Sequence, residues 1–136
     1  MDCVFCAIVQ KKIPAEIVFE DADTLSFLTI TPVHGGHTLV IPKQHYEDLF
    51  ELPENLLAKL FVVGKRVAKA VMNSTKAEGI NLEMNNKLAA GQMIFHAHLH
   101  IIPRFSNDGL RHWAHKEMSQ QELTQMREKI AREFQQ

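Results

Sequence analysis

The stretch IFHAHLHII, residues 94–102, alternates apolar and histidine side chains without a break. Successive side chains of a β-strand point to opposite faces of a sheet. We therefore predict a strand in which His96, His98 and His100 share one face. Ordinary strand faces favour Thr and Val, so three imidazoles on one face indicate a chemical site. The side chains predicted to face the core are Phe95, Ala97, Leu99 and Ile101.

The spacing of these imidazoles limits what they can do together. At about 3.3 Å per residue, His96 and His100 are rooted roughly 13 Å apart. A zinc ion with Zn–N bonds of about 2.0 Å can be shared by two same-face neighbours, but not by three in a straight row. We therefore expect the three histidines to divide their tasks. An alternative stays open, in which His96 and His98 chelate the catalytic metal of a zinc hydrolase.

Cys3 and Cys6 form a Cys-x-x-Cys pair near the start of the chain. This spacing is typical of zinc sites, because both thiolates can reach one tetrahedral ion at about 2.3 Å. Two further ligands would have to come from distant positions, and His45 and His96 are candidates. A redox pair and an inert pair remain as alternatives, although a redox motif normally follows a strand and opens a helix.

Composition indicates one ordinary globular domain, residues 1–136. The chain has 15 Lys and Arg against 16 Asp and Glu, a net charge of −1, and 46% hydrophobic residues. These values exclude disordered, collagen-like and disulfide-rich classes. No basic stripe supplies the phosphate contacts of a general nucleic-acid binder. No apolar run approaches the roughly 20 residues that span a bilayer, so we expect a cytoplasmic protein without a membrane partner.

Hydrophobic patterns predict an α+β chain. Short β-prone runs at 16–20, 24–29, 37–41 and 80–84 predict antiparallel strands. Ser119 and Glu122 form a capping-box pattern that predicts a C-terminal amphipathic helix. A longer helix is predicted from residue 53 to about 74, because apolar residues recur there at spacings of three and four. These residues are Leu56, Leu57, Leu60, Phe61, Val63, Val67, Ala70 and Val71.

The histidine segment, preceded by Ala90-Gly91-Gln92 and followed by Pro103-Arg104, resembles the signature of the histidine triad (HIT) superfamily of nucleotide hydrolases and transferases. The resemblance extends over roughly residues 3 to 104. It implies an α+β HIT-like fold, an antiparallel sheet with one long helix packed on it and a C-terminal helix, commonly paired as a homodimer. The other matching segments are Cys3–Cys6, Ile13-Pro14, Val18–Asp21, Phe27–His45 and Asn85.

The resemblance also implies roles for the histidines and cysteines. A structural zinc ion is expected on Cys3, Cys6, His45 and His96. His98 is then free to attack the α-phosphorus of a nucleoside phosphate derivative, while one of its ring nitrogens donates to the backbone carbonyl of His96. The nucleotidyl-histidine would be hydrolysed to a nucleoside monophosphate. His100 is expected to donate a hydrogen bond as the leaving group departs.

We expect two groups of substrate contacts, one to the phosphate and one to the nucleoside. We expect Asn85, Gly91, Gln92 and Met93 to hold phosphate oxygens. Ile13, Phe19 and Ile30 are expected to form an apolar slot for the base. Thr29 stands where the family often has an Asp that holds the ribose hydroxyls. The leaving group stays open between a dinucleoside polyphosphate and a phosphoramidate, and a nucleotide-binding module without turnover is the non-enzyme alternative.

Overall fold

The computed structural model describes residues 2–135. Its five strands form one antiparallel sheet of order β1-β2-β3-β5-β4. This confirms the predicted α+β class, with one long helix on an antiparallel sheet and a helix near the C-terminus. The elements are α1 (Val4–Val9), β1 (Ile17–Glu20), β2 (Thr24–Leu28), β3 (Thr38–Pro42), α2 (Glu54–Thr75), β4 (Gly79–Glu83), a 3-10 turn (Leu88–Ala90), β5 (Leu99–Arg104) and α3 (Gln120–Glu133).

The sheet buries apolar side chains on both faces. One face packs against α2 through a cluster that includes Val40, Leu60 and Leu99. The opposite face carries α1 and a second cluster that includes Phe5 and Leu39. Because neighbouring residues of a strand point to opposite faces, β3 contributes to both clusters and fixes the two layers relative to each other.

Helix α2 occupies the predicted range almost residue for residue, but its predicted apolar face is too wide. Leu60, Val67 and Val71 are buried as expected. Phe61, in contrast, is 45% exposed, and Ala70 is also exposed. A helix on a sheet turns only part of its circumference inward, so apolar residues at the margins of a broad stripe remain in solvent.

Gly64 lets α2 approach the sheet closely. A Cβ atom placed on Gly64 would lie 2.7 Å from Cδ2 of Leu99. Leu99 is fully buried in the core, so it has little room to move aside. The short distance between helix and sheet at β5 therefore depends on the missing side chain.

The histidine segment is only partly a strand. Strand β5 begins at Leu99, and residues 96–98 leave the ladder because the backbone N–H of Ala97 donates to the carbonyl of Tyr46 at 2.7 Å. Ala97 and Leu99 are buried as predicted, but Phe95 is 42% exposed. The expectation for Phe95 is wrong because strict alternation holds only within a strand.

The two ends of the chain differ in how well the sequence predicts them. Cys3 caps α1, where its Sγ accepts from the N–H of Cys6 at 3.4 Å, and this six-residue helix is too short to show a period. The capping box of Ser119 and Glu122 is confirmed at the start of α3. No residue of α3 is buried. Among residues 2–135, no helix is long and apolar enough to cross a membrane.

The contact at Gly64 predicts a loss of stability on substitution. Gly64→Val should lower the free energy of unfolding by about 2 kcal/mol or more, because the added methyl groups overpack a core that cannot yield. Asn73→Val, at an exposed position of α2, is the matched control and should change it by about 0.5 kcal/mol or less. Urea denaturation of both variants measures the difference, and equal stabilities would contradict the proposed close approach.

Candidate functional site

Four side chains from distant parts of the chain meet in a group that can hold a metal ion. One ligand atom from each residue lies within 4.8 Å of the others. The Sγ atom of Cys3 lies 3.4 Å from Nδ1 of His96, and Sγ of Cys6 lies 3.4 Å from Nδ1 of His45. The group consists of Cys3, Cys6, His45 and His96, as the sequence predicted.

The distances in this group fit tetrahedral zinc. With Zn–S bonds of about 2.3 Å and Zn–N bonds of about 2.0 Å, an ideal ion separates S from N by about 3.5 Å and N from N by about 3.3 Å. The Nδ1 atoms of His45 and His96 lie 3.2 Å apart, and Sγ of Cys6 lies 3.6 Å from Nδ1 of His96. Two thiolates and two imidazoles are a donor set that zinc prefers. These four ligands complete the tetrahedron and leave no position for water or substrate, which is typical of a structural site.

His96 is oriented for this task by its second ring nitrogen. Its Nε2–H donates to the carbonyl oxygen of Pro42 at 2.8 Å, since a carbonyl can only accept. Nδ1 therefore keeps its lone pair and faces the thiols. Burial lowers the pKa of His96 to about 4, which keeps the ring neutral and able to bind a metal.

His98 lies beside this group but is turned away from it. Its Nδ1–H donates to the backbone carbonyl of His96 at 2.7 Å, so Nε2 keeps its lone pair. The ring is 8% exposed and packs edge-on against Phe5 at a centroid distance of 5.2 Å. Burial lowers the pKa of His98, so the neutral ring prevails at pH 7.

His100 is oriented by a histidine that the sequence analysis did not single out. The backbone N–H of Val33 donates to Nδ1 of His37 at 3.1 Å, so the proton of His37 sits on Nε2. That proton is donated to Nδ1 of His100 at 2.9 Å. A neutral His100 must then carry its own proton on Nε2 and offer it as a donor. Burial, with His98 and His37 nearby, lowers the pKa of His100 to about 4.

The position of His37 beside His100 follows from the register between β3 and β5. Leu39 pairs with His100 across β3 and β5, and His37 lies two residues before Leu39. Residues two apart in an extended chain share a face, so His37 stands diagonally opposite His100. Finding it required the register between two strands, which the sequence alone does not supply.

His98 and His100 lie in the wall of a pocket of about 740 Å³. The pocket is largely apolar, and it opens on the sheet face that carries α1. An imidazole with a free lone pair and a second imidazole with a free N–H therefore face the same space. The structure brings most of the predicted substrate residues to this pocket, namely Ile13, Thr29, Ile30, Asn85, Gly91 and Met93.

Two of the predicted substrate residues lie elsewhere, and their placement corrects the expectation. Phe19 packs on the opposite face of the sheet, against the α2 cluster, because its strand position points there. Gln92 is 1% exposed, and both polar atoms of its side chain form hydrogen bonds with backbone groups. Its Oε1 accepts from the N–H of Lys87 at 2.8 Å, and its Nε2 donates to the carbonyls of Glu47 and Ile94.

The loop between β4 and the histidines is braced by these bonds and by an ion pair. Nζ of Lys87 lies 2.6 Å from Oδ2 of Asp48, a carboxylate that is 2% exposed. The hydrogen bond from Lys87 lowers the pKa of Asp48. Lys87 has a φ of 77°, which is costly for a residue with a side chain, and Gly91 has a φ of 94°. Gln92 and Lys87 thus hold the loop that presents Gly91 and Met93 to the pocket.

Comparison with known proteins places this site in a family. The HIT domain family model matches residues 10–107. The crystal structure of SMU.412c from Streptococcus mutans is similar, with a TM-score of 0.93 and 42% identity, covering 98% of this chain and 85% of that one. A zinc-bound histidine triad family protein from Mycobacterium smegmatis has a TM-score of 0.78 and 42% identity, covering 86% and 85% of the two chains.

A curated relative carries a named activity. The adenylylsulfatase HINT3 of Arabidopsis thaliana is 39% identical over 122 residues, which are 90% of this chain and 61% of that protein. The family match covers all five strands of the sheet, α2 and all three histidines of the 94–102 segment. The chain therefore belongs to the HIT domain family and carries, on Cys3, Cys6, His45 and His96, a set of side chains fit to hold zinc.

Proposed function

We propose that this protein is a nucleotide hydrolase that cleaves at the α-phosphorus of a nucleoside phosphate derivative through a nucleotidyl-histidine on His98. The observation that carries the proposal is the 2.7 Å hydrogen bond from Nδ1–H of His98 to the carbonyl of His96. This bond fixes the proton on one nitrogen and leaves the lone pair on the other, inside the pocket. A neutral, oriented imidazole is a competent nucleophile at pH 7.

In the first step, the lone pair on Nε2 of His98 forms a bond to the α-phosphorus. The bond from phosphorus to the leaving oxygen breaks, and its electron pair departs with the leaving group. A polyphosphate leaves as an anion and needs no proton, so a hydrogen bond from Nε2–H of His100 is sufficient to stabilise the developing charge. In a phosphoramidate the P–N bond breaks instead, and the departing nitrogen takes the Nε2 proton of His100, which the water of the second step restores. The ring of His98 becomes cationic, and the carbonyl of His96 stabilises that cation through Nδ1–H.

In the second step, water attacks the same phosphorus from the side that the leaving group vacated. The P–N bond breaks, its electron pair returns to Nε2 of His98, and one proton of the water is released to solvent. The product is a nucleoside monophosphate and the free enzyme. The atoms that change bonds in these two steps belong to the substrate, to water and to the catalytic imidazoles. Cys3, Cys6, His45 and His96 form no bond to the substrate.

The pocket supports a division between phosphate and nucleoside contacts. We propose that Asn85 and the backbone around Gly91 and Met93 hold the phosphate oxygens, because this braced loop lies beside the histidines. The nucleoside would lie against Ile13 and Ile30, with the hydroxyl of Thr29 available to the ribose. The name of the Arabidopsis relative, an adenylylsulfatase, supports an adenylyl substrate.

Three further assignments belong to this proposal. We propose that residues 1–136 form a single HIT domain and that the protein acts as a homodimer. We place it in the cytoplasm, because two free thiols at a metal site suit a reducing compartment. The zinc ion would have a structural role. It would hold α1 and His96 in place, and the carbonyl of His96 accepts the hydrogen bond from His98.

Replacement of the nucleophile provides the first test. His98→Ala should lower the release of AMP from diadenosine polyphosphates or adenosine phosphoramidates at least about 1000-fold, because no other group forms the covalent intermediate. Binding of AMP should persist, as measured by calorimetry. His112→Ala, at an exposed position, is the control and should keep wild-type turnover.

Trapping separates this enzyme from a module that only binds nucleotides. Rapid acid-free quenching and mass spectrometry should find a nucleotidyl adduct on His98 during turnover. Wild-type rates in His98→Ala would refute the assignment of the nucleophile. A wild-type protein that binds AMP but turns over none of the substrates in the panel would indicate the binding module instead.

The bond between His37 and His100 provides the second test. His37→Leu should lower kcat by roughly 10- to 100-fold, the usual cost of removing a partner that orients a functional imidazole. KM should change little, because His37 does not line the pocket. His37→Gln restores an N–H donor and should recover part of the lost kcat. If Leu and Gln behave alike, the orientation of His100 does not depend on this bond.

The metal provides the third test. Elemental analysis should find about one zinc per chain, and a Cys3→Ala, Cys6→Ala double variant should lose it. Thermal stability should fall with it, since a ligand at 1000 times its Kd stabilises a fold by about 4 kcal/mol. His100→Ala should keep its zinc. Activity that vanishes at once with a chelator, before unfolding, and returns with Zn²⁺ would indicate a catalytic metal instead.

A further inference from the structure

Helix α3 displays an apolar stripe that the monomer does not cover. At 100° per residue, Leu123, Met126, Ile130 and Phe134 fall on one side of the helix. Their side chains are between 45% and 86% exposed. A 14-residue helix is marginal in water on its own, so its stability comes from packing of such a stripe.

The same chain contains an apolar groove that is also uncovered. The groove, of about 470 Å³, lies between α2 and the β1–β2 end of the sheet. Helix α2 covers β3, β5 and β4, and it leaves β1 and β2 free on this face. Apolar side chains from the strands and from α2 line it, chiefly Val18, Phe19, Val63, Val67 and Val71.

The stripe and the groove match in length, and the acidic side of the stripe is complementary to one cation of the groove. From Val63 to Ser74 the groove follows α2 for about 16 Å, and the stripe from Leu123 to Phe134 is also about 16 Å long. Glu122 and Glu133 border one side of the stripe, and Arg127 borders the other. Among residues 2–135, the one charged side chain that lines the groove is Arg66 of α2, whose guanidinium is opposite in sign to these carboxylates.

Helix α3 does not lie on the groove of its own chain. Residues 109–119 form an exposed segment without helix or strand between the sheet and α3. This placement recurs in the crystal structure of the Streptococcus mutans protein, which matches 98% of the chain at a TM-score of 0.93. Residues 105–135 are nearly a quarter of the chain, so such a score requires α3 to take a similar position there.

We propose that α3 of each copy docks into the groove between α2 and the β1–β2 hairpin of a second copy. Because one chain carries both the stripe and the groove, a two-fold arrangement satisfies both surfaces twice and closes. The inference rests on the homodimer proposed above and names the surfaces that meet in it. It does not depend on the chemistry of His98.

Cross-linking between two different variants tests the docking directly. Zinc-loaded Ala70→Cys and Met126→Cys proteins are mixed, allowed to exchange and treated with a short bifunctional maleimide. Ala70 is an exposed residue of the groove, and Met126 lies in the stripe. A covalent heterodimer should form several-fold faster than with Gln125→Cys, whose side chain lies on the opposite side of α3. Equal yields from the two mixtures would overturn the proposal.

A double variant that carries both Ala70→Cys and Met126→Cys distinguishes docking of α3 on a second copy from docking on its own copy. It should give covalent dimers and nothing larger, because the two-fold arrangement closes. A cross-linked monomer would show that α3 folds back on its own groove, which also overturns the proposal. Wild-type protein under the same conditions controls for reaction of Cys3 and Cys6.

Sedimentation of charge variants gives an independent measurement. Met126→Glu with Ile130→Glu should raise the dimer dissociation constant at least 100-fold. Gln121→Glu with Gln125→Glu adds the same charge on the opposite side of α3 and should leave it unchanged. Unchanged association of the stripe variant would refute the docking while the homodimer stands. A monomeric wild type would refute both, and the test of His98 would be unaffected.

Discussion

The site depends on what surrounds one residue, His96. Its Nε2–H is held by the carbonyl of Pro42, its Nδ1 faces two thiols, and its own carbonyl accepts from His98. Each of these contacts fixes a direction: the first fixes the ring, the second the metal-binding edge, and the third the proton of the next histidine. The side chain and the backbone of one residue thus serve different tasks, which is how a row of three imidazoles avoids competing for one ion.

Burial supplies the second constraint. His96 and His98 are buried and His100 is half-buried, and the resulting loss of solvation lowers the pKa of each. A charged ring would be costly in this place, so all three stay neutral at pH 7. Neutrality then makes the hydrogen bonds decisive, because a neutral imidazole has one donor and one acceptor. The partners of His98 and His100 are a carbonyl and the N–H of His37, and they select opposite tautomers.

Local signals predicted the elements, and contacts between distant residues decided the details. The spacing of Leu60, Val67 and Val71 predicts α2, and Ser119 predicts the start of α3, because these signals need only a few neighbouring residues. The exposure of Phe95 could not be predicted from the sequence. Strand β5 begins only at Leu99, because the N–H of Ala97 donates to the carbonyl of Tyr46 and not to β3.

The same distinction explains the site. The four residues of the metal group were predicted from the resemblance of the sequence to the family, whereas the pairing of His37 with His100 depends on strand register. Gln92 was expected to hold phosphate as a polar residue beside the histidines. It braces the loop instead, because the N–H of Lys87 and the carbonyls of Glu47 and Ile94 lie within its reach.

The turn before β3 contacts both faces of the sheet. A Cβ atom on Gly36 would lie 2.6 Å from Cγ2 of Thr75 in α2, and the next residue is His37. Gly36 lines the groove beside α2, and the next residue, His37, contacts His100 in the wall of the pocket, so adjacent residues reach the two opposite faces of the sheet.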